Sequence, residues 1–335
     1  MKTYFVAFWN LENLFDIENS PRRSEKLQRA IGQDLARWGE NQLALKISQL
    51  ASIIKLMNNG LGPDILGVCE IENKHVLERL VAALATLNRN YAIAHADTND
   101  QRGIDVAIIY DANQVVVEQG NIDPNNPGVI KDLIFNHFVM RRTATRDILQ
   151  VNFITLAENE RIVTVVNHWP SRSGGASESE GYRMIAGETL AYFHERVMEM
   201  YSNDTPVIAM GDFNDEPFNV SLVQYALSLR SKTKVSNAKN SCFYNLMWDI
   251  LEEANGSFYF DNLPNMLDQF LVNKNLIKKD SKVSVKENTV KINKFPIMES
   301  NGKYPSPIPY GGMGKAINPN GFSDHFPISV EIEVK

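Results

Sequence analysis

The segment GDFNDEP, residues 211–217, sets Asp212, Asn214 and Asp215 directly after the apolar run Val207-Ile208-Ala209-Met210. The same arrangement recurs along the chain. Asn10 follows Phe8-Trp9, Glu70 follows Val68-Cys69, His168 follows Val165-Val166-Asn167, Asp268 follows Met266-Leu267, and Asp324-His325 precede Phe326-Pro327-Ile328. An apolar run ending in a polar residue reads as a strand that delivers that residue to the rim of a sheet. Taken singly, an Asn or Asp after a strand is ordinary turn chemistry. Taken together, the strand ends carry carboxylates, amides and two histidines, with no Ser-His-Asp or Cys-His nucleophile set beside them. Glu70 and Asp324 are hard oxygen donors and Asn10 a neutral one, which suits Mg²⁺ held by few protein ligands, waters and a substrate phosphate. The Cys/His spacing of a zinc site is absent. A divalent cation there can polarise a phosphoryl oxygen and offset charge on a leaving alkoxide. His325, oriented by Asp268, can pair with a water, and His168 can donate to a phosphate oxygen.

Positioning these residues takes a regular scaffold. Short apolar runs alternate with helical patterns over all 335 residues, and no Gly/Ser linker or repeat interrupts them, so the expectation is one α/β domain, 1–335. Residues 40–58 place Leu43, Ile47, Leu50, Ile54 and Met57 at helical intervals and end in Asn58-Asn59-Gly60. Asp64 to Cys69 reads as a buried strand with Glu70 at its tip, and 74–87 return to the helical period. Further strands are expected at 104–110, 114–118, 148–155, 161–167, 206–210, 267–272 and 328–334. The pairs 104–110/114–118 and 148–155/161–167 read as hairpins, so the sheets should be mixed. A long helix is expected over about 177–201. Stretches 17–40, 119–140 and 286–322 are irregular, and loops that long usually border a site. The last runs straight into Asp324-His325 and is expected to line the cleft.

The first residues pass at once into Tyr4-Phe5-Val6-Ala7-Phe8-Trp9, leaving no room for a signal peptide ahead of them. With only Cys69 and Cys242, no disulfide framework supports secretion. The chain therefore reads as cytoplasmic, and Cys69 as a small core residue. A net charge of −6 argues against a surface coated for nonspecific nucleic-acid binding. Locally, Arg141, Arg142, Arg146, Arg161, Arg172 and Arg183 share one stretch and could meet phosphate if the fold gathers them.

With these residues in hand, the chain resembles the endonuclease/exonuclease/phosphatase superfamily. The resemblance is carried in family order by FWNLENLFD (8–16), CEIEN (69–73), RGIDVAIIYD (102–111), NHWPSRSGG (167–175), GDFND (211–215), LDQFLV (267–272) and SDHFPI (323–328). It implies a DNase I-like four-layer α/β/β/α sandwich: two mixed β-sheets flanked by helices, with the active site at one rim. It also implies that Asp212 activates or orients the attacking water and that Asn214 contacts the scissile phosphate. Glu70 would be the principal ligand to Mg²⁺ (or Mn²⁺), with Asn10 and Asp324 completing the metal site. His168 and His325, the latter held by Asp268, would stabilise the charge at phosphorus. Glu12 stands where some relatives carry a second acid and is a further candidate ligand. Asp105 either orients His168 or is a strand-edge residue. Arg172 and Arg183 are candidate substrate contacts, although Arg172 could instead cap its Gly-containing loop. Trp169 either stacks on a base or packs beneath the loop.

The catalytic set defines phosphate-ester hydrolysis better than it defines a substrate. A phosphodiester of nucleic acid is the first expectation, since the arginine-rich stretch could follow a phosphate backbone. A lipid or inositol phosphodiesterase or phosphatase is the alternative, although no basic amphipathic helix or lipidation motif suggests stable membrane association. A catalytically inactive binding scaffold is a third reading, disfavoured because every catalytic position is filled.

Overall fold

The structure, a computed structural model, describes residues 1–98, 100, 103–122, 130–140, 145–172 and 174–335. Its centre is a pair of mixed sheets, seven-stranded and eight-stranded. The first runs in space through Val283–Val285, Ile328–Val334, Lys2–Leu14, Ile65–Ile71, Asp105–Asp111 and Tyr91–His95, with Lys291–Ile292 also on Ile328–Val334. Lys2–Leu14 and Ile65–Ile71 are parallel, and the other neighbours antiparallel. The second runs through Ser228–Leu229, Phe243–Asn245, Asp268–Asn273, Val207–Asp212, Arg161–His168, Ile148–Thr155 and Val115–Val117, with Ile134–His137 also on Ile148–Thr155.

Side chains alternate across a strand, and both faces of the central strands are covered, which is why these runs are continuously apolar. Tyr4, Val6 and Phe8 point between the sheets to join Val166, Met210 and Phe270. Phe5, Ala7 and Trp9 point outward into a cluster with Leu50 and Ile54 of the helix Glu40–Leu56 and Leu77 of the helix Lys74–Ala83. On the far side, Val163, Val165, Ala209 and Leu271 pack on Ala186, Leu190 and Val197 of the helix Ala176–Met200. The layers are therefore helix, sheet, sheet and helix. Each fully buried large aliphatic or aromatic side chain contributes about 1.5–3 kcal/mol.

The expected hairpin 148–155/161–167 forms, with Arg161 opposite Ile154. The expected hairpin 104–110/114–118 does not. Val115–Val117 pairs instead with Ile148–Thr155 of the second sheet. At this corner Tyr110 already packs on Phe153 across the sheets, 5.0 Å between ring centres, so Val115 and Val117 reach the inter-sheet core by crossing over. The segment 119–140, expected to be irregular, carries the short strands Gln119–Ile122, Ile130–Asp132 and Ile134–His137 within its described part. Arg141 and Arg142 lie outside the described residues. No described helix is long and apolar enough to cross a membrane.

Candidate active site

Register lines up three residues on the second sheet. His168 sits opposite Asp212 on the neighbouring parallel strand, and Asp212 opposite Asp268 on the antiparallel one, so all three share one rim. On the first sheet the two parallel strands leave regular pairing at the same level. Asn10 faces Cys69, but the next paired residues are Leu14 and Ile71. Glu12, Asn13 and Glu70 take positive φ angles of 48°, 60° and 60°, a region that non-glycine residues occupy only when neighbouring bonds hold them. Here Asn13 N donates to Glu70 Oε2 at 3.0 Å and Glu12 N to Asn10 Oδ1 at 3.0 Å. Such a bulge re-aims side chains, and it turns Asn10 and Glu70 toward the second sheet.

The side chains converge. Asn10 Nδ2 donates to Glu70 Oε1 and to Asp212 Oδ2, each at 3.2 Å. His168 Nε2 lies 3.6 Å from Glu70 Oε1 and 3.8 Å from Asp212 Oδ2. His325 Nε2 lies 3.9 Å from Asp212 Oδ2 and 4.0 Å from Asp324 Oδ1, while its Nδ1 meets Asp268 Oδ2 at 2.7 Å. Asp212 Oδ1 accepts from Asn214 N at 2.9 Å. Burial pushes the Asp212 carboxyl up to about 7, with His325 opposing the rise and Asp268 and Glu70 adding to it. Burial works against protonation of His325, but Asp268, through charge and hydrogen bond, holds its imidazole well above the usual range, helped by Asp212 and Asp324. The arrangement is a buried acid near neutrality between two imidazoles, one fixed by a second acid, with Glu70 across the cleft.

The sequence profile described as Endonuclease/Exonuclease/phosphatase family matches residues 5–334. The chain belongs to that family. Family members hydrolyse phosphoester bonds, and the residues brought together here are those on which the resemblance rested. Similar solved structures include a mannosyl-6-phosphatase of Bacteroides thetaiotaomicron (18% identity, 98% of this chain and 99% of that one, TM-score 0.54). The human Nocturnin catalytic domain with bound sulfate has 15% identity, covers 99% and 95%, and gives a TM-score of 0.53. D. rerio TDP2 complexed with single-strand DNA product has 13% identity, covers 99% and 100%, and gives 0.56. At these identities the likeness establishes the DNase I-like fold. Among curated protein sequences none matches the chain.

The family is generally divalent-metal-dependent, and this chain's donor set fits a hard cation in part. Glu70 and Asp324 are the more exposed carboxylates of the cluster, with side chains 19% and 29% accessible, and they offer oxygen as Mg²⁺ prefers. Glu70 and Asp324, with Asp212 beside them, concentrate negative charge that a divalent ion would balance. Asn10 differs from its expected role. It turns its amide nitrogen to Glu70 and Asp212, and its oxygen is held by Glu12 N, so it bridges the two acids instead of offering a cation its oxygen. A separate group, His95, Asp97 and Asp105, has ligand atoms within 4.8 Å of one another at the neighbouring strand end, where Asp105 pairs with Ile71.

Three candidate substrate contacts have other roles in this member of the family. Arg183 is 1% exposed. Its Nε meets Asp215 Oδ2 at 2.8 Å, and its other nitrogens bond Ser179 Oγ and the carbonyls of Pro170 and Ala176. Burial against a carboxylate makes it a brace for the GDFND turn, not a phosphate contact. Trp169 is also 1% exposed, packed edge-on against Phe213 with its Nε1 on Asn167 Oδ1, so it lies beneath the loop and presents no face to a base. Arg172 spends its bonds on Asn214 O, Asp215 Oδ1 and Asn219 Oδ1, tying its loop to the GDFND turn instead of capping its own Gly-containing loop. Asn214 gives its own side-chain nitrogen to Trp169 O at 3.0 Å. Asp105 pairs with His95 Nε2 at 3.0 Å and Thr98, not with His168. Glu12 is sealed in the interior. Arg161 pairs with Glu118 at the opposite end of its strand. Arg146, one of the six arginines of the basic stretch, is buried with Nη2 3.3 Å from His168 Nε2. Nothing in its local sequence separates it from its neighbours.

Proposed function

We propose that residues 1–335 form one catalytic domain that hydrolyses phosphodiesters, nucleic acid foremost, by in-line attack of water with a divalent cation, Mg²⁺ or Mn²⁺, as cofactor. The observation that supports this most is the placement of His325–Asp268 and His168 on either side of Asp212, with Glu70 facing them. Bound by Glu70 and Asp324, the cation would polarise the phosphoryl oxygen and offset charge on the leaving oxygen. Asp212, a carboxylate near neutrality, orients the water and takes its proton. Asp268 accepts from Nδ1 of His325 and keeps the imidazole protonated, so that Nε2 also carries a hydrogen to donate to the developing charge. His168 lends a second donor or acceptor at the same face, and Asn10 holds Glu70 and Asp212 at a common distance. No covalent intermediate on the protein is involved.

The substrate reading rests on a hairpin beside His325. Phe258–Phe260 pairs with Leu263–Asn265 across Asp261 and Asn262, both at positive φ as a tight two-residue hairpin turn requires. The Phe258 ring lies 4.8 Å from the His325 ring, and Phe260 and Leu263, paired at the tip, are 66% and 61% exposed. An exposed aromatic edge on a hairpin that packs against His325 suits a nucleobase. The same edge favours the second reading, a lipid phosphodiester whose acyl chain it would meet.

Supercoiled plasmid, single-stranded DNA, sphingomyelin vesicles, mannose 6-phosphate and bis-p-nitrophenyl phosphate should be assayed in parallel with Mg²⁺, Mn²⁺ and EDTA. Nicking or shortening of DNA that EDTA and His325→Ala both abolish is the expected result. Turnover of the lipid or sugar phosphate with inert DNA would reassign the substrate and keep the mechanism. Equal activity with EDTA would sink the metal-dependent reading.

A further inference from the structure

Glu12 is a carboxylate two residues from Asn10, yet it is buried, 1% exposed. Its Oε2 accepts from Tyr310 N at 2.7 Å and its Oε1 from Gly311 N at 3.1 Å. Lys46, fully buried on the helix Glu40–Leu56, brings Nζ to 3.6 Å from Glu12 Oε2 and donates to Phe322 O at 2.8 Å. The same ammonium sits 4.9 Å from the centre of the Tyr310 ring. Tyr310, Gly311 and Phe322 belong to one loop whose ends meet, since Phe322 N donates to Ile308 O at 2.8 Å and Asn318 N to Tyr310 O at 2.7 Å. Such a closed loop moves as a unit. Immediately after it come Ser323, whose Oγ donates to Asn10 O at 2.7 Å, and then Asp324 and His325. Trp9 Nε1 donates to His325 O at 2.8 Å from the same strand as Glu12.

The chain thus reaches Asp324 and His325 only after its loop has been pinned to the first strand through Glu12 and to a helix through Lys46. We infer that Glu12 and Lys46 are positioning residues: a sealed ion pair that sets the distance between the Asp324–His325 half of the site and the Asn10–Glu70 half, with Glu12 holding backbone N–H groups and no cation. The inference rests on the phosphoesterase reading for its catalytic consequence, but the contacts themselves are independent of it. Two backbone N–H groups and an ammonium already occupy the Glu12 oxygens, so a cation could take them only by displacing the loop that carries the rest of its site.

The test uses Glu12→Gln, which keeps the shape and one acceptor, and Glu12→Gln/Lys46→Met, which removes both charges in case a lone buried ammonium unfolds the single variant. Three readings are taken: kcat at saturating Mn²⁺, Mn²⁺ affinity by calorimetry, and hydrogen exchange of peptides covering 305–325 against those covering 65–71 and 207–212. The expected result is faster exchange confined to 305–325, Mn²⁺ affinity changed by less than about threefold, and kcat reduced about 10- to 100-fold, as for a site whose halves have shifted. The double variant should regain part of the lost kcat. Mn²⁺ affinity weakened by more than about 100-fold with kcat restored at high metal would make Glu12 a ligand and overturn the inference. Unchanged exchange with unchanged kcat would equally overturn it. Failure of the wild type to turn over any phosphoester would instead strike the functional reading, and the exchange data would still decide whether Glu12 holds the loop.

Discussion

Replacing Arg183 separates two readings of the same residue by more than one observable. In Arg183→Met the buried carboxylate of Asp215 loses its 2.8 Å partner, and the carbonyls of Pro170 and Ala176 lose their donor. Breaking a buried pair from one side costs about 3–5 kcal/mol, because the remaining charge stays desolvated. Asp215 keeps Arg172 at 3.1 Å and the Ser221 hydroxyl at 2.5 Å, which places the loss at the low end, about 3 kcal/mol. An unfolding entropy near 2.1 cal/mol/K per residue amounts to about 0.7 kcal/mol/K for 335 residues, so the melting midpoint should fall by about 4 °C. Arg183→Lys should recover only part of this, since an ammonium cannot span Asp215, Ser179 and the two carbonyls together. Calorimetric melting alongside steady-state kinetics, run well below the midpoint, gives both answers. A lowered midpoint with KM within about twofold is expected, as for a residue that makes no substrate contact. An unchanged midpoint with KM raised tenfold or more would refute the bracing argument and restore Arg183 to the substrate.

His325→Ala and Asp268→Asn should each lower kcat by about 100-fold or more with modest change in KM, because one removes the imidazole and the other leaves it unoriented; a change confined to KM would count against both roles. His194 is buried against Phe243 with neither ring nitrogen hydrogen-bonded, and burial, with a smaller contribution from Lys274, holds its pKa down to about 3. Only the unfolded chain then takes up that proton, so the contribution is complete above the unfolded pKa near 6.5 and is lost at about 1.4 kcal/mol per pH unit as pH falls from there toward 3. His194→Leu should flatten the fall in melting midpoint over that window, and an unchanged slope would show that His194 is not its source. Gly211 lies opposite Asn167, and a Cβ there would stand 2.3 Å from the Asn167 carbonyl oxygen. Gly211→Ala should therefore cost about 1–3 kcal/mol by forcing the two strands apart, read as a lower denaturation midpoint together with reduced kcat.

What was legible follows from which constraints are local. Ile148–Thr155 and Ile328–Val334 were readable to the residue, because apolar side chains recur at every second position or closer through each of them. Tyr91–His95 left none, being an edge strand with mostly half-buried residues and no clean alternation. Val115–Val117 was recognisable as a strand but not its partner, since three residues after a turn say nothing about which sheet they join. At the site, Asn10, Glu70, His168, Asp212, Asp268, Asp324 and His325 were legible as polar residues at strand ends, and the structure gathers them at one rim because a strand end fixes where a polar side chain emerges. The setting of Arg183 was not legible, and Trp169 was left between two readings of which the packed one holds, because nothing local distinguishes a cation that meets phosphate from one that meets Asp215, or a ring that stacks on a base from one that packs on Phe213.

Glu12 and Glu70 carry that distinction to its limit. Both are glutamates on central strands of the first sheet, both take positive φ, and both stand beside Asn10. Each has both oxygens hydrogen-bonded, Glu70 to Asn10 and Asn13 and Glu12 to Tyr310 N and Gly311 N, but Glu70 keeps 19% of its side chain accessible while Glu12 is buried against the Lys46 ammonium. The partners of Glu12 arrive from nearly 300 residues later in the chain and from a helix, so no local pattern around Glu12 could announce them. The difference between the proposed cation ligand and a fixture of the scaffold is therefore one of burial, set by a distant loop and a helix ammonium that close over the second carboxylate.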